Sequence, residues 1–157
     1  MLLLTGEYQH VIDEKGRVLI SNRLRSQIDA QEHGSNFYLV LGPDGILCLY
    51  PERYFERIAG LVGGNITAPD EAVAFERLSF ALATKADLDS QGRLLISERL
   101  RKRVGLRDRI VLVGVRDHIE LWNEDDWERY VADHMSLYQK QISIARLHVL
   151  QRHDELG

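Results

Sequence analysis

The chain has 157 residues, a formal net charge of −4 and one cysteine, with 45% hydrophobic and 28% charged residues, the composition of a soluble globular protein. A lone Cys48 excludes an intramolecular disulfide and any cysteine-rich zinc site, and the longest apolar runs fall far short of a membrane span. The opening "MLLLT" lacks the positive flank and length of a secretory signal, so a reducing cytoplasm is expected.

In chain order, "GEYQHVID" alternates, with Tyr8, Val11 and Ile12 apolar, and predicts a strand that ends in a turn at Glu14-Lys15-Gly16. The β-rich run "RVLI" follows, and Ser21 suits the N-cap of a helix opening on "NRLRSQI". Two short strands, "FYLVLG" and "ILCLY", lead to an amphipathic helix, "PERYFERIAGLV", with Pro51 in its first turn. The stretch "GGNITAPDEA", rich in glycine and small polar residues and containing Pro69, reads as a linker.

Beyond it the pattern returns. "DSQGRLLISERLR" (89–101) repeats "DEKGRVLISNRLR" (13–25) at an offset of 76, with nine of thirteen residues identical. Residues 38–58 then lie on 111–131 at an offset of 73, matching Leu39 to Leu112, Val40 to Val113, Asp44 to Asp117, Ile46 to Ile119 and Tyr54 to Trp127. Four segments follow: a first repeat over 1–63, a linker over 64–74, a second repeat over 75–135 and a helical tail over 136–157. Trp122 and Trp127 are expected in the core beneath the last helix. The tail's apolar residues, Leu137 to Leu150, are imperfectly periodic and suit either a docking helix or an extension of the helix before them.

Each half reads as a β-hairpin, a helix and a second β-hairpin, a unit of about 60 residues that is too small to be comfortable alone. Two copies pairing about a pseudo-two-fold axis would close each other's sheets. The expected body is therefore α+β, built from two intertwined halves that present two similar turns.

Charge is distributed unevenly. Residues 13–25 carry +2 and residues 89–109 carry +4, which leaves −10 for the rest, −4 of it in "EDDWERYVAD" (124–133). A local basic field attracts phosphate even on an acidic body. The repeated turns place Lys15, Gly16 and Arg17, and again Gln91, Gly92 and Arg93, where a ribbon could enter the major groove of double-stranded DNA. Arg23, Arg25, Arg99 and Arg101 would follow phosphates, with Lys102 and Arg103 beside them. Asp13 and Asp89 have a structural pairing role, each stapling the arginine four residues on, a role compatible with DNA contact.

Enzymatic signals are weak. "GLVGGN" lacks the lysine and hydroxyl residue of a phosphate loop. His118 and Glu120 share a strand face, but no trio of residues shows metal-ligand spacing along the chain. Neither a catalytic group, nor a metal, nor a cofactor is expected.

Together, "GEYQHVIDEKGRVLIS", "DGILCLYPERYFERI" and "LDSQGRLLISERLRKRVGL", with the closing "VLVGVRDHIELWNEDDWERY", resemble the MraZ family over nearly the whole chain to about residue 135. Its Asp-x-x-x-Arg signature occurs twice, at Asp13/Arg17 and Asp89/Arg93. The resemblance implies a double-split β-barrel of the AbrB (SpoVT-AbrB) type formed by the two halves. It also implies a homo-oligomeric ring, octameric or dodecameric, acting in the cytoplasm at the nucleoid. Such a protein is a transcriptional regulator, and it binds direct repeats in the promoter of a cell-division and cell-wall gene cluster through the Asp-x-x-x-Arg loops. The alternatives are a ring-forming interaction module, or an antitoxin-like protein, whose basic turns are structural.

Overall fold

The computed structural model describes residues 1–61 and 69–157, in two compact units, Met1–Glu124 and Asp125–Gly157. The first repeat contributes β1 (Glu7–Val11), β2 (Arg17–Leu19), α1 (Asn22–Arg25), α2 (Ala30–His33), β3 (Phe37–Leu41), β4 (Leu47–Pro51) and α3 (Glu52–Leu61). Helix α4 (Pro69–Ala81) runs from the expected linker into the start of the second repeat, which continues with β5 (Thr84–Ala86), β6 (Arg93–Leu95), α5 (Glu98–Val104), β7 (Arg109–Val115) and β8 (His118–Asn123). Helix α6 (Glu124–Leu156) supplies almost all of the second unit and runs without a break through position 135, where the repeat was expected to end. The expected linker lies outside the described residues as far as 68 and is helical from Pro69 onward. Asp70 and Glu71 stand in the first turn of α4, where the helix dipole favours carboxylates.

Among the described residues, eight antiparallel strands form a six-stranded sheet, ordered β1-β7-β8-β4-β3-β5, and a two-stranded ribbon, β2-β6. The sheet order is unchanged when each strand is exchanged for its counterpart in the other repeat. Each half lends its first strand to the other: β1 pairs with β7 and β5 with β3. The second strands pair with each other in the ribbon, and β4 pairs with β8 at the centre of the sheet. This is the double-split α+β arrangement of two intertwined repeats. Strand exchange satisfies edges that a lone half would leave open.

Two expectations are corrected by the pairing. The first two strands of each half do not form a hairpin, because β1 and β2 turn a corner and join different partners. The repeat alignment also slips by one residue between β4 and β8. Inward-facing Leu47 and Leu49 correspond to Ile119 and Leu121, an offset of 72 rather than 73. Strand alternation requires this, since a one-residue shift would turn a core leucine outward. The aligned pair Ile46 and Ile119 are thus not equivalents, and the second half has one residue fewer between equivalent positions of its two hairpin strands.

The core is made of matched pairs from the two halves. Val18, Ile20, Leu24 and Leu39 are buried, as are their counterparts Leu94, Ile96, Leu100 and Leu112. Val18 faces Leu94 directly in the ribbon, on the pseudo-two-fold axis. Each such apolar side chain contributes roughly 1.5–3 kcal/mol by leaving water. Trp122, expected in the core, instead lies half-buried on the outer face of β8, alternating with buried Leu121 and Asn123. There it donates its indole N–H to Glu120. On that outer face, α3 packs Phe55 against Tyr38, with ring centroids 4.6 Å apart, and Tyr54 against Tyr50 at 6.3 Å.

Candidate nucleic-acid interface

The two Asp-x-x-x-Arg turns have the same internal wiring. Asp13 Oδ1 accepts the backbone N–H groups of Lys15 and Arg17, both at 2.9 Å, while Oδ2 accepts Arg17 Nε at 2.8 Å. Asp89 Oδ1 likewise accepts from Gln91 and Arg93, and its Oδ2 accepts Arg93 Nε at 2.9 Å. An aspartate that bonds the backbone two and four residues ahead fixes the turn locally. The N–H bond from Arg17 is the largest influence holding the Asp13 carboxyl below the usual range, and that from Arg93 does the same for Asp89. The staple role expected for these aspartates is thus built into the geometry. It leaves Arg17 and Arg93 about one-third exposed, with side-chain values of 32% and 29%.

Gly16 and Gly92 are buried beneath these turns at φ +82° and +79°, in the left-handed region that favours glycine. Their carbonyls cross to the opposite half: Gly16 O accepts from Ile96 N–H and Gly92 O from Ile20 N–H, each at 2.9 Å. A Cβ on Gly16 would stand 2.7 Å from Ile96 O, and one on Gly92 would stand 2.7 Å from Arg25 Cζ. The glycines therefore hold the two turns together through backbone.

Arg25 and Arg101, expected on phosphates, both reach toward the ribbon. Arg25 Nε donates to Ile20 O at 3.0 Å, and Arg101 Nε donates to Ile96 O at 3.1 Å. Each guanidinium lies over the opposite half's turn glycine, so the pair clasps the two halves. Lys15, Gln91, Arg23 and Arg99 are exposed. Arg23 and Arg99 sit in the first turns of α1 and α5, whose N-caps are Ser21 and Ser97: Ser21 Oγ accepts from Arg23 N–H and Ser97 Oγ from Leu100 N–H. Lys102 is engaged by Glu98 at 3.0 Å.

Two residues that sequence reasoning passed over share this surface. In the ribbon Arg17 stands opposite Leu95, and Leu19 stands opposite Arg93. With Val18 and Leu94 turned inward, the outward face carries two arginines and two leucines in two-fold array. Leu19 is 40% exposed and Leu95 58%. The signal for them was the alternation within "RVLI" and "RLLI", which puts every second residue outside.

The fold and these turns define a class: a duplicated double-split protein that joins two basic Asp-x-x-x-Arg turns on one ribbon. The family described as "MraZ protein, putative antitoxin-like" matches residues 3–72 and 79–144. The chain belongs to the MraZ family. It is 36% identical to the "Transcriptional regulator MraZ" of Symbiobacterium thermophilum over 133 residues, covering 85% of this chain and 93% of that protein. The protein of the same name from Lachnoclostridium phytofermentans is 35% identical over 145 residues, covering 85% and 96%. That from Caldicellulosiruptor saccharolyticus is 32% identical over 155 residues, covering 99% of both chains.

Proposed function

We propose that this protein is a DNA-binding transcriptional regulator and not an enzyme. It sets the outward face of the β2–β6 ribbon against duplex DNA. The observation that carries this reading is the two-fold array on and around that face: Lys15, Arg17 and Arg23 from one half, and Gln91, Arg93 and Arg99 from the other. Arginine is suited to bidentate contact with guanine, and an exposed leucine is suited to contact with a thymine methyl group. Arg23 and Arg99 would hold phosphates and set the register. The Asp13 and Asp89 staples orient the arginines in advance, which lowers the ordering cost of binding.

The targets proposed are short direct repeats in the promoter of a cell-division and cell-wall gene cluster, read by a homo-oligomeric ring at the nucleoid. One ribbon spans few base pairs. Several ribbons in a ring would gain specificity from repeats of matching spacing through effective concentration. Among the described residues no helix is long and apolar enough to cross a membrane, in keeping with action on DNA.

The test is a salt-dependent binding titration on the chain's own upstream region, with particle mass measured alongside. Arg17→Ala should weaken binding by about 1–3 kcal/mol per reading head with the oligomer intact. Arg93→Ala should weaken it less, because its turn carries neutral Gln91 where the first carries Lys15. The log–log salt slope should be about 0.9 per phosphate neutralised. Unchanged affinity in both variants would refute the reading. Dissociation of the assembly by Arg17→Ala would favour the interaction-module alternative, which the Asp13–Arg17 ion pair also suits.

A further inference from the structure

We propose that Cys48, His118 and Glu120 form a binding site for a borderline-soft divalent metal ion of the zinc type, on the outer face of the sheet where β4 meets β8. Ligand atoms of these three residues all lie within 4.8 Å of one another. Cys48 and Glu120 face each other across the strand pair, at equivalent positions of the two repeats. The Nε2 of His118 is 3.2 Å from Glu120 Oε2, close to the separation of about 3.3–3.6 Å that tetrahedral zinc–ligand bond lengths require. The thiol is buried, while the His118 and Glu120 side chains keep 15% and 20% of their surface, which leaves an approach for an ion and for a water as fourth ligand.

The surrounding bonds are those that orient metal ligands. Asp117 Oδ1 holds His118 Nδ1 at 2.7 Å, which aims Nε2 at the cluster, the carboxylate–histidine arrangement found behind bound zinc. Tyr54 O–H donates to the other oxygen of Asp117 at 2.8 Å. Trp122 Nε1–H donates to Glu120 Oε1 at 3.0 Å, leaving Oε2 turned toward the histidine. Thiolate, imidazole and carboxylate together suit zinc or cobalt rather than calcium or magnesium. On binding, the Cys48 thiol releases its proton to solvent, and so does His118 Nε2 where it carries one. No residue changes oxidation state. Because Cys48 belongs to the first repeat and the other two ligands to the second, the ion would tie the halves at their central seam.

Chelator-treated full-length protein titrated with zinc should bind one ion per chain and melt at a higher temperature when loaded. Cobalt offers a specific reading, since the chain has one cysteine and any thiolate-to-cobalt charge-transfer band must come from Cys48. That band, with d–d absorption of tetrahedral intensity, is expected in the wild type and absent in Cys48→Ser. His118→Gln should weaken zinc binding by at least tenfold, and Asp117→Asn by about 10–100-fold, with circular dichroism confirming that each variant is folded. Absence of the cobalt–thiolate band in wild type would overturn the proposal. So would zinc affinity unchanged in folded Cys48→Ser and His118→Gln. In either case the cluster would be only an ion-paired histidine between two carboxylates.

Discussion

Asp13 and Asp89 show how much one side chain can organise. Each carboxylate accepts two backbone N–H groups and one arginine Nε, so it shapes a turn and aims the cation beside it. Because the folded pKa is depressed, the resulting stability is complete above the unfolded aspartate value of about 3.9. It is lost as pH falls through the lower folded value. We expect the melting temperature of the wild type to fall more steeply between about pH 4 and pH 2 than that of an Asp13→Asn/Asp89→Asn double variant. Equal slopes in thermal melts across that range would remove the staple from the stability account. These turns were legible in the sequence because an aspartate, a glycine and an arginine at short spacing act on their own backbone. The inward swing of Arg25 and Arg101 was not legible. It depends on Ile20 O, Ile96 O and the opposite half's glycine coming within reach of a long side chain.

At the scale of elements, β6 offers a direct contrast. Leu94 is buried on the pseudo-two-fold axis against Val18, while its neighbour Leu95 is 58% exposed beside Arg17. Leu94→Ala should cost about 2–5 kcal/mol, and Leu95→Ala less than about 0.5 kcal/mol, in urea unfolding monitored by circular dichroism. If Leu95 reads DNA, its alanine variant should still weaken binding. Equal losses of stability for the two would mean that the ribbon's alternation is misassigned. The alternating pattern was visible in "RVLI" and "RLLI", but the partner of each strand was not. The β4–β8 slip has the same origin: identical residues suggested an offset of 73, whereas burial of Leu47 and Leu49 opposite Leu121 and Ile119 requires 72.

For the whole molecule, strand exchange makes each half depend on the other. Among the described residues, β1 has its only ladder with β7, and β5 has its only ladder with β3. A fragment of residues 1–61 would expose the unpaired edges of β1, β2, β3 and β4 and one side of the ribbon core. We expect it to be unfolded or aggregated alone in circular dichroism and light scattering. A monomeric, cooperatively melting fragment would show that one repeat suffices. Charge also matters at this scale. The net −4 hides basic segments of +2 and +4, so attraction to phosphate is set by local field and should weaken steeply with salt.

The sequence by itself determined the duplication, the two stapled turns, the serine caps, the basic segments and the family. All of these rest on residue identity or on interactions spanning a few positions. Only the tertiary structure decided that first strands are exchanged, that Leu19 and Leu95 join Arg17 and Arg93 on one face, and that Cys48 meets His118 and Glu120. Those outcomes follow from long-range pairing, in which edges and apolar faces of both halves must be satisfied at once. The spacing of 70 residues between Cys48 and His118 carries no trace of it.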